Sequence, residues 1–67
     1  MSERQKEIYE YIKSFILENK YSPSIREIGE AVGLKSPATV HHHLDKMREN
    51  GYIDFASALP RTLSIVS

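Results

Sequence analysis

The sequence predicts a mainly α domain that ends in a small β-hairpin, an α+β fold, and three observations carry that prediction. Ser2, Ser24 and Ser36 each stand ahead of an apolar repeat of helical spacing, where a capping hydroxyl belongs. Gly33 and Gly51 stand where the second and third repeats stop. Beyond Gly51 the apolar spacing drops to alternation, the period of a half-buried strand.

Ser2 with Gln5 three positions on has the form of a capping box, and the helix it starts is expected over about residues 3–20. Ile8, Ile12, Phe15 and Ile16 give this helix one apolar face, extended by Tyr11, while Glu10, Lys13 and Glu18 point outward. Arg4, Lys6 and Lys13 read as solvated surface charges. Pro23 disfavours helix at Ser22, so the connection is extended, and Tyr21 is expected to cover the core edge rather than touch a partner. Ser24 and Glu27 form a second capping box, opening a helix over about 25–32 whose buried side is Ile25, Ile28 and Val32. Gly33 ends it, because a helix exits through a left-handed residue that glycine adopts without steric cost. Leu34 is placed to plug the corner.

Ser36-Pro37 opens the third helix, about 37–50, with a capping hydroxyl and a proline at the first helical position, where a missing N–H does no harm. Val40, Leu44 and Met47 make its buried stripe. In the strands expected at about 52–55 and 62–66, Ile53 and Phe55 face one way, and Tyr52 and Asp54 the other. Leu63 and Ile65 alternate with Thr62 and Ser64, and the second strand should pair antiparallel with the first across a loop from Ala56 to Arg61. Two helices with a glycine turn fit either a helix-turn-helix or an ordinary helical hairpin. The trailing β-hairpin favours the three-helix winged helix-turn-helix plan, occupying residues 1–67 as one domain.

Composition bounds the function. At 67 residues and 40% hydrophobic content, the chain is near the lower size limit for a fold held by its core alone. Without cysteine it offers no disulfide, thiolate metal site or cysteine nucleophile. No apolar run approaches a membrane span, and the opening SERQKE is charged where a signal peptide would be apolar, so a cytoplasmic location is expected. Nine basic against nine acidic residues leave no net charge, which argues against tight DNA binding by a single copy and for two copies on one site. No paired carboxylates, activated nucleophile or glycine-rich phosphate loop suggests an enzyme.

The face of the third helix opposite Val40, Leu44 and Met47 carries Ala38, Thr39, His41, His42 and Asp45. Only the first turns of a recognition helix reach base edges, which selects Ser36, Ala38, Thr39, His41 and His42 as base-contacting candidates. Hydroxyls donate or accept, methyls can touch the thymine methyl, and imidazole nitrogens can reach purine acceptors. Asp45 and Glu49 lie farther along and would repel phosphate. Lys35, Arg26 and the wing residue Arg61 are the candidate phosphate contacts. The run His41-His42-His43 does not make a metal site, because neighbouring helical positions diverge by about 100°. His43 shares the apolar side and is expected to be packed and hydrogen-bonded. No metal and no cofactor is expected.

The stretch PSIREIGEAVGLKSPATVHHHLDKMRENGYI, Pro23 to Ile53, resembles the DNA-binding domain of the LexA repressors of the bacterial SOS response. The likeness is closest to forms whose recognition helix reads S-x-x-T-V-H-x-H-L, here Ser36 to Leu44, and it extends to the opening SERQKEIYEYI and the Pro60-Arg61 wing. The resemblance implies a repressor of DNA-damage genes that binds double-stranded DNA at an inverted-repeat operator as a homodimer in the bacterial nucleoid. Its base-reading positions fall on Ser36, Ala38, Thr39, His41 and His42. Ala38 and His42 differ from residues found in several members, which puts the preferred operator in doubt. LexA repressors continue into a self-cleaving domain with a Ser-Lys pair, which also provides dimer contacts. Nothing matching that domain is found here, so the chain is not expected to cleave itself, and it reads either as a fragment of a repressor or as a stand-alone phage or mobile-element regulator. A winged helix serving as a protein-interaction module is the alternative of another class; the polar recognition face opposes it.

Overall fold

Each of the three helices begins one residue after a serine and turns at its end through a left-handed residue. The computed structural model describes residues 1–66, with helices α1 (Glu3–Asn19), α2 (Ile25–Val32) and α3 (Pro37–Glu49) followed by strands β1 (Ile53–Asp54) and β2 (Ser64–Ile65). The order and the small antiparallel hairpin are those of a winged helix-turn-helix.

The start signals work to different degrees. At Ser24 the capping box is complete: Glu27 N–H donates to Ser24 Oγ at 3.1 Å and Ser24 N–H to Glu27 Oε1 at 2.8 Å. At Ser2 only half of it forms. Gln5 N–H reaches Ser2 Oγ at 3.2 Å, but the Gln5 side chain turns away to meet His43 Nδ1 at 3.4 Å. Ser36 departs furthest from expectation, since its hydroxyl makes no cap hydrogen bond; the Ser36 carbonyl alone receives Thr39 and Val40 N–H, at 3.1 and 3.3 Å.

The stops behave as the glycines require. Gly33 (φ 76°) turns the chain so that Leu34 N–H reaches the Gly29 carbonyl at 2.9 Å. Gly51 (φ 80°) ends α3 in a Schellman motif: Tyr52 N–H returns to Met47 O and Gly51 N–H to Arg48 O, both at 3.0 Å. Arg4 is not a solvated charge, because its Nη1 donates to the Val32 carbonyl and so closes the end of α2 from α1.

Ile8 and Ile12 from α1, Ile28 from α2, Val40, Leu44 and Met47 from α3, Ile53 from β1 and Leu63 beside β2 form the core. Phe15 and Tyr11 are half-buried at its edge, with their rings 5.9 Å apart. The hairpin pairs Ile53 with Ile65 and Asp54 with Ser64, and Val66 N–H to Tyr52 O at 3.0 Å carries the ladder one step further. Both strands are shorter than alternation suggests. Tyr52 also corrects the expected facing: the Schellman turn rolls it inward, where it packs against the core and meets Tyr9 edge to face at 6.4 Å.

Candidate nucleic-acid interface

With Val40, Leu44 and Met47 at 0–1% exposure, α3 is pinned by one face, and the opposite face must lie at the surface. Ser36, Ala38, Thr39, His41 and His42 are all exposed. They occupy the N-cap and first two turns of a helix whose cap hydroxyl stays unused, so Ser36 Oγ can bond outward. His41 and His42 both reach the surface, whereas His43 is half-buried against Gln5. Burial, then the neighbouring His42 and Arg4 charges, hold His43 below the ordinary histidine value, so it is neutral near pH 7. Its ring stands edge to face with His42 at 6.1 Å. Among the described residues no three His, Cys, Asp or Glu side chains converge on a common point.

Two clefts flank this surface. One, about 510 Å³, runs between α2 and α3, with Arg26, Lys35, Pro37 and His41 on its walls. The other, about 400 Å³, separates the start of α2 from the loop 55–62, with Arg26 and His41 facing Phe55, Pro60 and Arg61. His41 and Arg26 therefore stand on the ridge between the clefts. Arg26 is 88% exposed and only loosely paired with Glu30 at 3.8 Å, and Lys35 is exposed beside the start of α3. Farther along the helix, Asp45 lies 3.8 Å from Arg48 and Glu49 3.9 Å from Lys46. Their acidity is thus partly offset.

Arg61 sits differently from a free wing cation. Its Nη1 donates to the Ser22 carbonyl and to Glu27 Oε1, both at 3.0 Å, and the guanidinium lies 5.2 Å from the Tyr21 ring centre. The residue adopts φ 55°, a left-handed conformation unusual for a side chain with a Cβ. Tyr21 packs its ring edge to face on Phe15 at 5.5 Å, in line with covering the core edge.

Four residues support this surface in ways the sequence did not reveal, although Glu27 was expected as a cap. Arg48 leaves the last turn of α3, lies 4.2 Å over the Phe55 ring and donates to Phe55 O at 3.2 Å and Ser57 Oγ at 3.1 Å. A basic residue in a last helical turn is an ordinary partner for the helix dipole, which hides this second use. Glu27 caps α2 and also binds Arg61, and its carboxyl is held below the usual carboxylate range first by Ser24 N–H and then by Arg61. Ser22, 5% exposed, accepts Leu63 N–H on its Oγ at 3.1 Å. Gly29 lies under the turn, where a Cβ would stand 2.8 Å from Leu34 O; a glycine inside an apolar helical repeat is the signal that could have singled it out.

Comparison with known proteins bears on what this surface does. The family described as the LexA DNA binding domain matches residues 1–62. LexA repressors of Staphylococcus epidermidis, Staphylococcus haemolyticus and Staphylococcus aureus are each 52% identical over 67 residues, all of this chain and 32% of each repressor. The chain thus spans 32% of the length of these curated relatives, and the region matched is the DNA-binding domain alone.

Proposed function

The chain belongs to the LexA DNA-binding domain family, and on that premise we propose that it reads inverted-repeat operators in double-stranded DNA, as the DNA-binding part of a transcriptional repressor of the SOS response. The observation that carries this reading is the exposed start of α3, where five small or polar residues stand clear of a helix whose other face is buried. Such a helix can enter the major groove by its first two turns. Ser36, Thr39, His41 and His42 then offer donors and acceptors to base edges, and the methyls of Ala38 and Thr39 meet thymine. Lys35 and Arg26 contact phosphates on either side of the cleft. Arg61 adds a phosphate contact with the part of its guanidinium that does not face Glu27; its side chain is 43% exposed.

Three phosphate contacts release few counterions, and a chain of zero net charge adds no long-range attraction, so a single copy binds weakly. Two copies on the two half-sites, with α3 in successive major grooves, double the contacts and occlude the promoter from polymerase. The contacts that hold the two copies together are proposed to come from outside the matched DNA-binding domain. The setting is the bacterial cytoplasm; among the described residues no helix is long and apolar enough to cross a membrane.

Fluorescence anisotropy tests the reading, with a labelled duplex carrying a GAAC…GTTC inverted repeat against a scrambled duplex across a salt series. The repeat should bind more tightly. Thr39→Ala and His41→Ala should each cost about 1–3 kcal/mol on the repeat and little on the scrambled duplex. Equal affinity for both duplexes at every salt concentration would defeat operator reading by this domain.

A further inference from the structure

The loop between β1 and β2 is held at both ends by arginines from different places. Arg48 of α3 grips its outgoing end at Phe55 and Ser57. Arg61 grips its returning end and fastens it to the start of α2, through Glu27 Oε1 and the Ser22 carbonyl. Between them Thr62 Oγ1 closes the loop on itself, accepting Ala56 N–H at 2.9 Å and lying 3.2 Å from Leu59 O. A single oxygen, Glu27 Oε1, thus takes both the N-cap N–H of α2 at 2.8 Å and the wing guanidinium at 3.0 Å.

We propose that Glu27 is a positioning residue for DNA binding, which fixes the wing relative to the helix-turn-helix through Arg61. The inference rests on the DNA-binding reading above. Its physical basis is pre-organisation: a loop ordered before binding loses less conformational entropy when it docks on the backbone. The left-handed backbone at Arg61 supports it, since a β-carbon residue stays there only when surrounding contacts hold it, and these are the contacts. The acidic residue lies among the proposed phosphate contacts, where simple electrostatics would make it a liability. Its engagement by Arg61 turns that charge inward.

Glu27→Gln separates these effects, because glutamine serves at the same capping position while losing the ionic hold on Arg61. Removing a negative charge should tighten DNA binding if only long-range electrostatics matter. Positioning predicts the reverse: three- to tenfold weaker binding to the inverted-repeat duplex, with the slope of log K against log salt unchanged. Arg61→Gln should weaken binding by at least as much, and adding Glu27→Gln to it should cause no further loss. In the DNA-free domain, the {1H}–15N heteronuclear NOE of loop amides 56–59 should fall in Glu27→Gln, while those of α1 and α3 stay unchanged and show the variant folded. Equal or tighter binding by Glu27→Gln, additive losses in the double variant, or an unchanged loop NOE would each overturn the proposal. A loosened loop in a domain whose unsubstituted form ignores the repeat would instead overturn the DNA reading and leave Glu27 as the loop's anchor.

Discussion

Ser22 shows how much one short side chain can hold when it is buried between two chain segments. Its Oγ accepts the Leu63 N–H at 3.1 Å and donates to the Pro23 carbonyl at 2.9 Å, tying the α1–α2 connection to the returning strand. Ser22→Ala removes the acceptor and leaves the Leu63 amide buried without a partner, so it should cost about 1–3 kcal/mol in urea denaturation. Exchange of the Leu63 amide with deuterium should speed up by more than that of its neighbours; unchanged exchange would refute the assignment. Contacts of this kind are not legible in a sequence. Ser24 and Glu27 lie three residues apart, so their capping box is written locally. Arg4 and Arg61 meet carbonyls 28 and 39 positions away, and until the helices pack nothing marks them off from solvated charges. The five expected base-contacting residues were legible as an exposed set, because the opposite stripe of α3 is plainly apolar.

At the scale of elements, helix ends were readable and strand ends were not, for one physical reason. Caps are chosen by the chain's own neighbours, whereas a ladder can lose its groups to side chains both adjacent and distant in the sequence. Phe55 N–H bonds Asp54 Oδ1 at 2.9 Å and Leu63 N–H bonds Ser22, so the hairpin pairs two residues on each side despite a longer alternation. The angle between α2 and α3 depends on Gly29, over which the turn folds closely enough to bring Leu34 O within 2.8 Å of an added Cβ and Val40 Cγ2 within 3.5 Å. Helix propensity alone would favour Gly29→Ala by about 1 kcal/mol. The clash is with backbone that cannot rotate away, and overpacking of this sort costs about 1–3 kcal/mol. Gly29→Ala should therefore lower the melting temperature and, by tilting α3, weaken operator binding more than non-specific binding. A higher melting temperature would show that the turn can open without cost.

The whole molecule measures 25 × 24 × 23 Å with a radius of gyration of 10.5 Å, close to the roughly 11 Å expected for a compact chain of this length. At about 0.05–0.15 kcal/mol per residue such a domain has only some 3–10 kcal/mol of stability, so single titrations can be seen in its unfolding. His43 and Glu27 both have lowered values in the fold, and the sign follows from linkage. On acidification the unfolded chain takes up each proton first, so the stability either group gives is present above its ordinary value and is lost as pH falls through its folded one. For His43 the loss begins near 6.5; for Glu27 it begins near 4.5. His43 has a geometric feature beyond burial: Gln5 Nε2 lies 3.4 Å from its Nδ1, a contact in which the amide donates and the neutral ring accepts. Urea midpoints at pH 7.5, 5.5 and 3.5 should therefore fall in two steps. His43→Gln should flatten the first step and leave the second, and Glu27→Gln should do the opposite. A first step that survives His43→Gln would move the titration to another group and break the link between the α1–α3 contact and acid sensitivity.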